Sequence, residues 1–179
     1  MSKKYEKFKT YLKKIGSGEF TGKSLNRKES AEATKLILRE EASAAQIGAF
    51  MIAHRIRRPK PEELAGMIDA YLELGPTIQS PKSQLQPIFF GMPFDGRTKT
   101  APIYPLTTLL LTSQNQPVIL HGGCRMPVKY GITHQELFKA LGLNLYGLSI
   151  KQLQSFFNQN GLALIHQPDH FPLAENLIT

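Results

Sequence analysis

The sequence predicts an α/β protein in two parts. An all-helical subdomain occupies residues 1–75, a hinge residues 76–87, and the start of a parallel βαβ sheet domain residues 88–179. Three observations support this. Apolar residues recur at helical spacing through the first 75 positions, and Pro76, Pro81 and Pro87 then fall in a stretch with no periodicity. Beyond the prolines, short apolar runs alternate with segments that carry helix-capping signals.

In the helical part, Tyr5, Phe8, Tyr11, Leu12 and Ile15 lie on one face of a first helix, which Gly16, Gly18 and Gly22 break. Asn26 followed by Glu29 is a capping box opening a second helix with Ala33, Leu36 and Ile37 on its apolar face. Ser43 with Gln46 opens a third, with Ile47, Phe50, Met51 and His54 on one side. Pro61 suits the first turn of a fourth, Glu62 and Glu63 suit its positive end, and Gly75 stops it. Short connections predict that consecutive helices are antiparallel neighbours.

After the hinge, Ile88-Phe89-Phe90 reads as a strand ending at Gly91, Leu106–Leu111 as helix, and Val118-Ile119-Leu120 as a second strand. Thr133 with Glu136 caps a helix ending at Gly142, and Ser149 with Gln152 caps another ending at Gly161. Leu162–Ile165 is a third strand. Alternation of this kind argues for right-handed βαβ units in a parallel sheet. Three strands make only a partial sheet, and no stop signal marks the last residues. The chain is therefore expected to be the front part of a longer protein or a truncated relative.

Composition narrows the class. With 179 residues, 41% of them hydrophobic, the chain can build one core with room for a small second domain. No run of 18 apolar residues exists to span a membrane. The Lys-rich start has no apolar segment behind it, which excludes a secretory signal. Cys124 is the only cysteine, so no internal disulfide framework is possible, and a cytoplasmic location is expected.

The net charge of +8 is concentrated in the first third. Residues 1–60 carry 15 Lys/Arg against 6 acids, whereas the remainder carries 7 against 8. Such a patch either attracts polyanions, nucleic acid first among them, or serves as a solubilising surface. The candidate contacts are Lys3, Lys4, Lys7 and Lys14 along the first helix and Arg55, Arg57 and Arg58 at the end of the third. Tyr5, Phe8 and Tyr11 suit stacking on bases or packing in a core.

Two segments carry a family resemblance. Glu41-Ala-Ser-Ala-Ala-Gln46-Ile-Gly48-Ala-Phe50, followed by Glu62-Glu63-Leu64-Ala65-Gly66, resembles the N-terminal helical domain of family 3 glycosyltransferases of the anthranilate phosphoribosyltransferase type. Gly48 and Gly66 inside helices then imply close packing or a subunit contact, since each costs about 1 kcal/mol against alanine. His121-Gly122-Gly123-Cys124-Arg125 is similar to the family's Lys-His-Gly-Asn-Arg loop, which helps hold the phosphoribosyl pyrophosphate donor. His121, Gly122 and Arg125 carry over. Leu120 stands in the lysine's place, and Gly-Cys replaces the asparagine.

A third segment, Gly91-Met92-Pro93-Phe94-Asp95-Gly96, corresponds to the family's glycine-rich pyrophosphate loop. Gly91 and Asp95 survive, but Pro93 has no N–H to donate and Phe94 blocks close backbone approach. Gly96, Arg97 and Lys99 supply a different set of anion donors, with Lys129 further on. His170-Phe171-Pro172 resembles a late family segment. The family's magnesium-binding acids have no counterpart, so the resemblance implies no cofactor for this chain unless a C-terminal half is supplied. The Phe94-Asp-Gly-Arg-Thr and Lys129-Tyr-Gly patterns resemble a divergent branch associated with nucleic-acid binding. The resemblance implies a homodimer through the helical domain.

The alternatives are an active pentosyl or phosphoribosyl transferase and an inactive dimerisation remnant. His166 and His170 have zinc-pair spacing, but Pro168 opposes a regular helix between them, and no metal site is expected. Cys124 beside Arg125 is either a thiol of lowered pKa or a plain one.

Overall fold

The computed structural model describes residues 3–18, 21–80, 85–91, 101–126 and 130–177. These form two compact units, with the division between Gly75 and Pro76.

The first unit contains α1 (Lys3–Gly16), α2 (Arg27–Leu38), α3 (Ala44–Arg57) and α4 (Pro61–Leu74). Both expected capping boxes form: Glu29 N donates to Asn26 Oδ1 at 2.9 Å, and Gln46 N donates to Ser43 Oγ at 3.3 Å. Phe8, Ala33, Leu38, Phe50 and Ala70 are buried, and the Phe8 and Phe50 rings lie 5.4 Å apart. Phe8 is thus core rather than a base-stacking platform. The main packing pairs are α2 with α4 and α1 with α3. Alternate helices, rather than the consecutive ones expected from loop length, make the largest contacts. Gly66 explains how α4 reaches α2. A Cβ there would lie 2.8 Å from Ser30 Cβ and 2.9 Å from Ala31 N, and it would also strike the Arg27 carbonyl. Gly48 differs, for nothing lies within 4 Å of its would-be Cβ.

The second unit begins inside the segment expected to be a hinge. Ile78 packs on an apolar cluster, and Gln79 exchanges two hydrogen bonds with the Gln154 side chain, at 2.8 and 2.9 Å. Then follow β1 (Ile88–Gly91), α5 (Tyr104–Ser113), β2 (Val118–Gly122), α6 (His134–Ala140), α7 (Ile150–Asn160) and β3 (Leu162–His166). Two single-turn helices, α8 (Gln167–His170) and α9 (Pro172–Glu175), close the described chain. The strands are parallel in the order β1-β2-β3, with Phe90 opposite Leu120 and Leu120 opposite Leu164.

Side chains alternate across the sheet. Val118, Leu120, Leu162 and Leu164 pack with Phe138 of α6 on one face, and Ile119, Ala163 and Ile165 pack with Leu153 and Phe157 of α7 on the other. No helix among the described residues is long and apolar enough to cross a membrane.

Candidate functional site

In an open parallel sheet the crevice beyond the carboxyl ends of the strands is the usual place for a ligand. Here those ends are Gly91, Gly122 and His166. The candidates Asp95, Gly96, Arg97, Lys99 and Lys129 lie outside the described residues. The site is therefore built from the loop after β2, the start of α6 and the turn after β3.

His121 and Arg125 are both exposed. The His121 ring stacks on Phe89 of the neighbouring strand with centroids 5.9 Å apart. Leu120, at the position the resemblance gives to lysine, is fully buried in the core. Arg125 is committed elsewhere. Its Nε donates to both Glu136 oxygens at 2.9 and 3.1 Å, and a terminal nitrogen lies 2.7 Å from Glu136 Oε1. Glu136 also accepts from Thr133 N and Oγ1, each at 2.9 Å, as the third residue of the α6 capping box. The Arg125 guanidinium is the main influence holding the Glu136 carboxyl at about 2. The arginine therefore ties the loop to the start of α6, and a phosphate would have to displace a well-placed carboxylate.

The surroundings of Cys124 are acidic. Burial pushes its thiol up, and the charges of Glu175 and Asp169 push it further. Of the two possibilities for this cysteine, this direction favours the plain thiol. A Cβ on Gly123 would sit 3.5 Å from Glu175 Oε2, the atom that accepts from Gln167 Nε2 at 3.0 Å.

The turn after β3 holds a network only partly legible in the sequence. His166 is buried, with Nδ1 2.8 Å from Asp169 Oδ2, which also accepts from Gly147 N at 3.3 Å. The His166 amide donates to His170 Nδ1 at 2.9 Å, and His170 Nε2 donates to the Leu148 carbonyl at 2.8 Å. Both nitrogens of His170 are thus used in fixing this turn. Among the described residues no group of three His, Cys, Asp or Glu side chains could hold a metal ion. The His166/His170 spacing is visible along the chain, but nothing there signals that Asp169 joins them. His134, not singled out in the sequence, is also buried, and its ring meets Tyr104 edge-on at 4.2 Å. Burial, with the nearby His121 second, brings its pKa down to about 4.

The basic candidates of the first unit divide. Lys7 Nζ reaches Glu32 at 2.9 Å, and Lys14 Nζ reaches Glu29 at 2.5 Å. Arg57 donates to the fully buried Glu63 at 2.5 Å and to Ser24 Oγ at 2.8 Å. All three are engaged in ion pairs, Lys7 at the exposed surface, so a phosphate at any of them would compete with an acidic partner. Helix α4 brings in Glu62, Glu63, Asp69 and Glu73, so residues 1–75 carry 15 bases against 10 acids. Arg55, Arg58 and Lys60, at the joint between α3 and α4, are exposed and have no acidic partner among the described residues. The side chains of Lys3 and Lys4 lie outside the described set.

Both units are similar to known proteins. Residues 9–75 match the model of the glycosyl transferase family helical bundle domain. The first unit is a helical bundle domain of that family.

Relatives extend the similarity over the second unit. An anthranilate phosphoribosyltransferase from Methylobacterium nodulans is 28% identical over 165 residues, covering 92% of this chain and 46% of the relative. One from Dictyoglomus turgidum is 27% identical with the same coverage. Among solved structures, the anthranilate phosphoribosyltransferase of Thermus thermophilus superposes with a TM-score of 0.76 at 19% identity, over 93% of this chain and 48% of that one. The enzyme from Saccharomyces cerevisiae, solved in complex with PRPP and Mg, gives 0.74 at 16% identity, over 96% and 49%. The chain thus resembles the N-terminal half of the anthranilate phosphoribosyltransferase type. It spans about half the length of the curated relatives it matches.

Proposed function

We propose that this chain is a polyanion-binding member of the glycosyl transferase family 3 lineage whose donor loop has been turned over to structural use. The observation that carries the reading is a contrast in charge. Arg125 of the β2 loop is neutralised internally, whereas Arg55, Arg58 and Lys60 stand exposed at one end of the helical unit, with no acidic partner among the described residues.

Donor binding is disfavoured by what the loop has lost. Leu120 is buried where a lysine would reach phosphate, Arg125 is held by Glu136, and Glu175 and Asp169 face the loop. Among the described residues, those of the β2 loop do not fit a magnesium-bound pyrophosphate. Each lost oriented donor commonly costs about 10²–10³ in rate, so several together take turnover below detection. Titration of the chain with phosphoribosyl pyrophosphate and magnesium in a calorimeter is expected to give no binding heat. Magnesium-dependent consumption of that donor would overturn the reading and favour an active phosphoribosyl transferase.

Polyanion binding rests on the exposed cations, with nucleic acid the partner expected. Lysine and arginine contacts to phosphate carry little sequence preference. If about four phosphates are neutralised, affinity for a fluorescent oligonucleotide falls roughly 10²-fold between 50 and 200 mM salt. Arg55→Glu with Arg58→Glu is expected to abolish binding and leave the melting temperature unchanged. Equal binding by that variant would leave the basic residues as a solubility feature and favour a remnant without a ligand.

The homodimer expected from the resemblance has support of its own. Met51, Ile52 and Ile56 on α3 and Leu64, Ile68 and Leu72 on α4 are exposed apolar side chains within one unit. An apolar set of this kind suits a self-complementary two-fold contact. Light scattering is expected to show a dimer that Ile68→Glu converts to monomer, and a parental chain already monomeric at micromolar concentration would refute the assignment.

A further inference from the structure

Buried polar side chains are almost always hydrogen-bonded, and one left unmet costs stability. The second unit holds several unmet side chains on two helices that touch. Thr108 of α5 and His134 and Gln135 of α6 are 0%, 2% and 5% exposed. Thr108 Oγ1, both ring nitrogens of His134 and Gln135 Nε2 are sealed from solvent and make no hydrogen bond.

Thr108 stands one helical turn from Tyr104, so the two share a face of α5. The Tyr104 ring meets the His134 ring edge-on at 4.2 Å, which sets that face of α5 against the start of α6. The unmet atoms thus border one seam. It lies by the carboxyl end of β2, since His121 of that strand is close enough to act on His134.

The seam has no charge of its own. Helix α5 carries no charged residue, and on α6 Glu136 is held by Arg125 while Lys139 is exposed. Burial keeps His134 neutral near neutral pH, with its pKa down at about 4. An ionic ligand, a pyrophosphate included, would find no counter-charge here among the described residues. The unmet atoms specify a neutral complement instead. A neutral imidazole offers one donor and one acceptor, the threonine hydroxyl both, and the glutamine nitrogen donors only. Donors and an acceptor side by side match a group in which a carbonyl stands next to an N–H.

We propose that the seam between α5 and α6 binds a small neutral molecule through an amide or lactam edge. The ligand carbonyl accepts from Gln135 Nε2 and the Thr108 hydroxyl, and the ligand N–H donates to the unprotonated nitrogen of His134. The remaining N–H of His134 is left to an ordered water. Entry costs little apolar burial. Helix α5 packs chiefly on β2 and α6, and Leu106 and Leu110 on its open flank are already exposed, so an outward shift of the helix uncovers the seam. The inference concerns the second unit alone and is independent of nucleic-acid binding by the first.

The test is titration of the isotope-labelled 179-residue chain with δ-valerolactam and with cyclohexanone, a ring of the same size without the N–H. Binding is read by NMR from the His134 ring nitrogens and from saturation transfer to the ligand. A saturable shift with the lactam is expected, with cyclohexanone bound at least about tenfold more weakly, because a site built of polar groups rejects an analogue that leaves them unpaired. Thr108→Val with His134→Phe removes the polar atoms and keeps the approximate shapes. That double variant is expected to bind the lactam at least about tenfold more weakly and to melt no lower than the parent near neutral pH, since the groups replaced had no partner. No saturable shift at His134, the result of a seam filled by water alone, overturns the proposal. Equal binding of cyclohexanone overturns it too, as does a double variant that holds the lactam as tightly as the parent. If the double variant does not fold, Thr108→Val alone decides by the same loss or retention of lactam binding.

Discussion

Glu63 is the residue whose removal tests the account of the helical unit most directly. Its side chain is fully buried. It accepts from Leu25 N at 3.0 Å, from Lys60 N at 2.8 Å and from the Arg57 guanidinium at 2.5 Å. It thereby fixes the approach to α2, caps α4 and neutralises a half-buried cation. Burial alone would raise its pKa, but the Lys60 and Leu25 amides and the Arg57 charge outweigh burial and hold the carboxyl below the ordinary value. Glu63→Ala leaves Arg57 unpaired, which for buried pairs costs about 3–5 kcal/mol. Two amides also lose their acceptor, a loss that overlaps with the first and is not added to it. A unit of this size has a total stability of order 4–11 kcal/mol at about 0.05–0.15 kcal/mol per residue. The variant should therefore lower the melting temperature by roughly 15 °C or more, at about 4–8 °C per kcal/mol for a domain of 60–100 residues. Circular dichroism melting of the full chain reads this directly. A drop of less than about 3 °C would mean that Glu63 is not what ties the start of α4 to the end of α3 and to the segment entering α2, since the same scaling equates that drop with less than 1 kcal/mol.

Three further outcomes follow from the geometry. Gly66→Ala should cost about 1–3 kcal/mol, because its methyl meets the Arg27 carbonyl and Ser30, whereas Gly48→Ala, with open space, should gain up to about 1 kcal/mol from helix propensity; equal melting temperatures for the two variants would refute the contrast. Cys124 should alkylate with iodoacetamide more slowly than a free cysteine at neutral pH and accelerate only in the alkaline range, since burial and the acids Glu175 and Asp169 disfavour the thiolate; faster alkylation than the free thiol would contradict the site's electrostatics. His134 has a folded-state pKa of about 4 against 6.5 for the ordinary side chain, so the unfolded chain binds the extra proton first and stability falls as pH drops through that window. The loss should reach about 3 kcal/mol by pH 4, and His134→Phe should flatten it, as read by urea denaturation at successive pH values. A parental curve already flat between pH 6.5 and 4 would exclude a buried neutral His134.

Much of the fold could be read along the chain because its signals are local. Asn26/Glu29, Ser43/Gln46, Thr133/Glu136 and Ser149/Gln152 each place a helix start through a side chain reaching its own backbone three residues away. Ile88–Phe90, Val118–Leu120 and Leu162–Ile165 are strands marked by apolar composition, and the intervening helices leave parallel pairing as the natural connection. The candidate loop His121–Arg125 was visible by resemblance, and the replacement of lysine by Leu120 was visible with it.

Only the tertiary structure decided which charges are available. Lys7, Lys14 and Arg57 look like a basic face when the first 60 residues are counted alone, but their partners lie 25, 15 and 6 residues away and meet them through helix packing. Arg125 likewise finds Glu136 eleven positions on, where the acid already serves as a cap. Helical periodicity fixes which side of one helix is apolar. It contains no term for which helix lies opposite, so alternate packing, the spent arginines and the open flank of α5 emerge only when the elements are assembled.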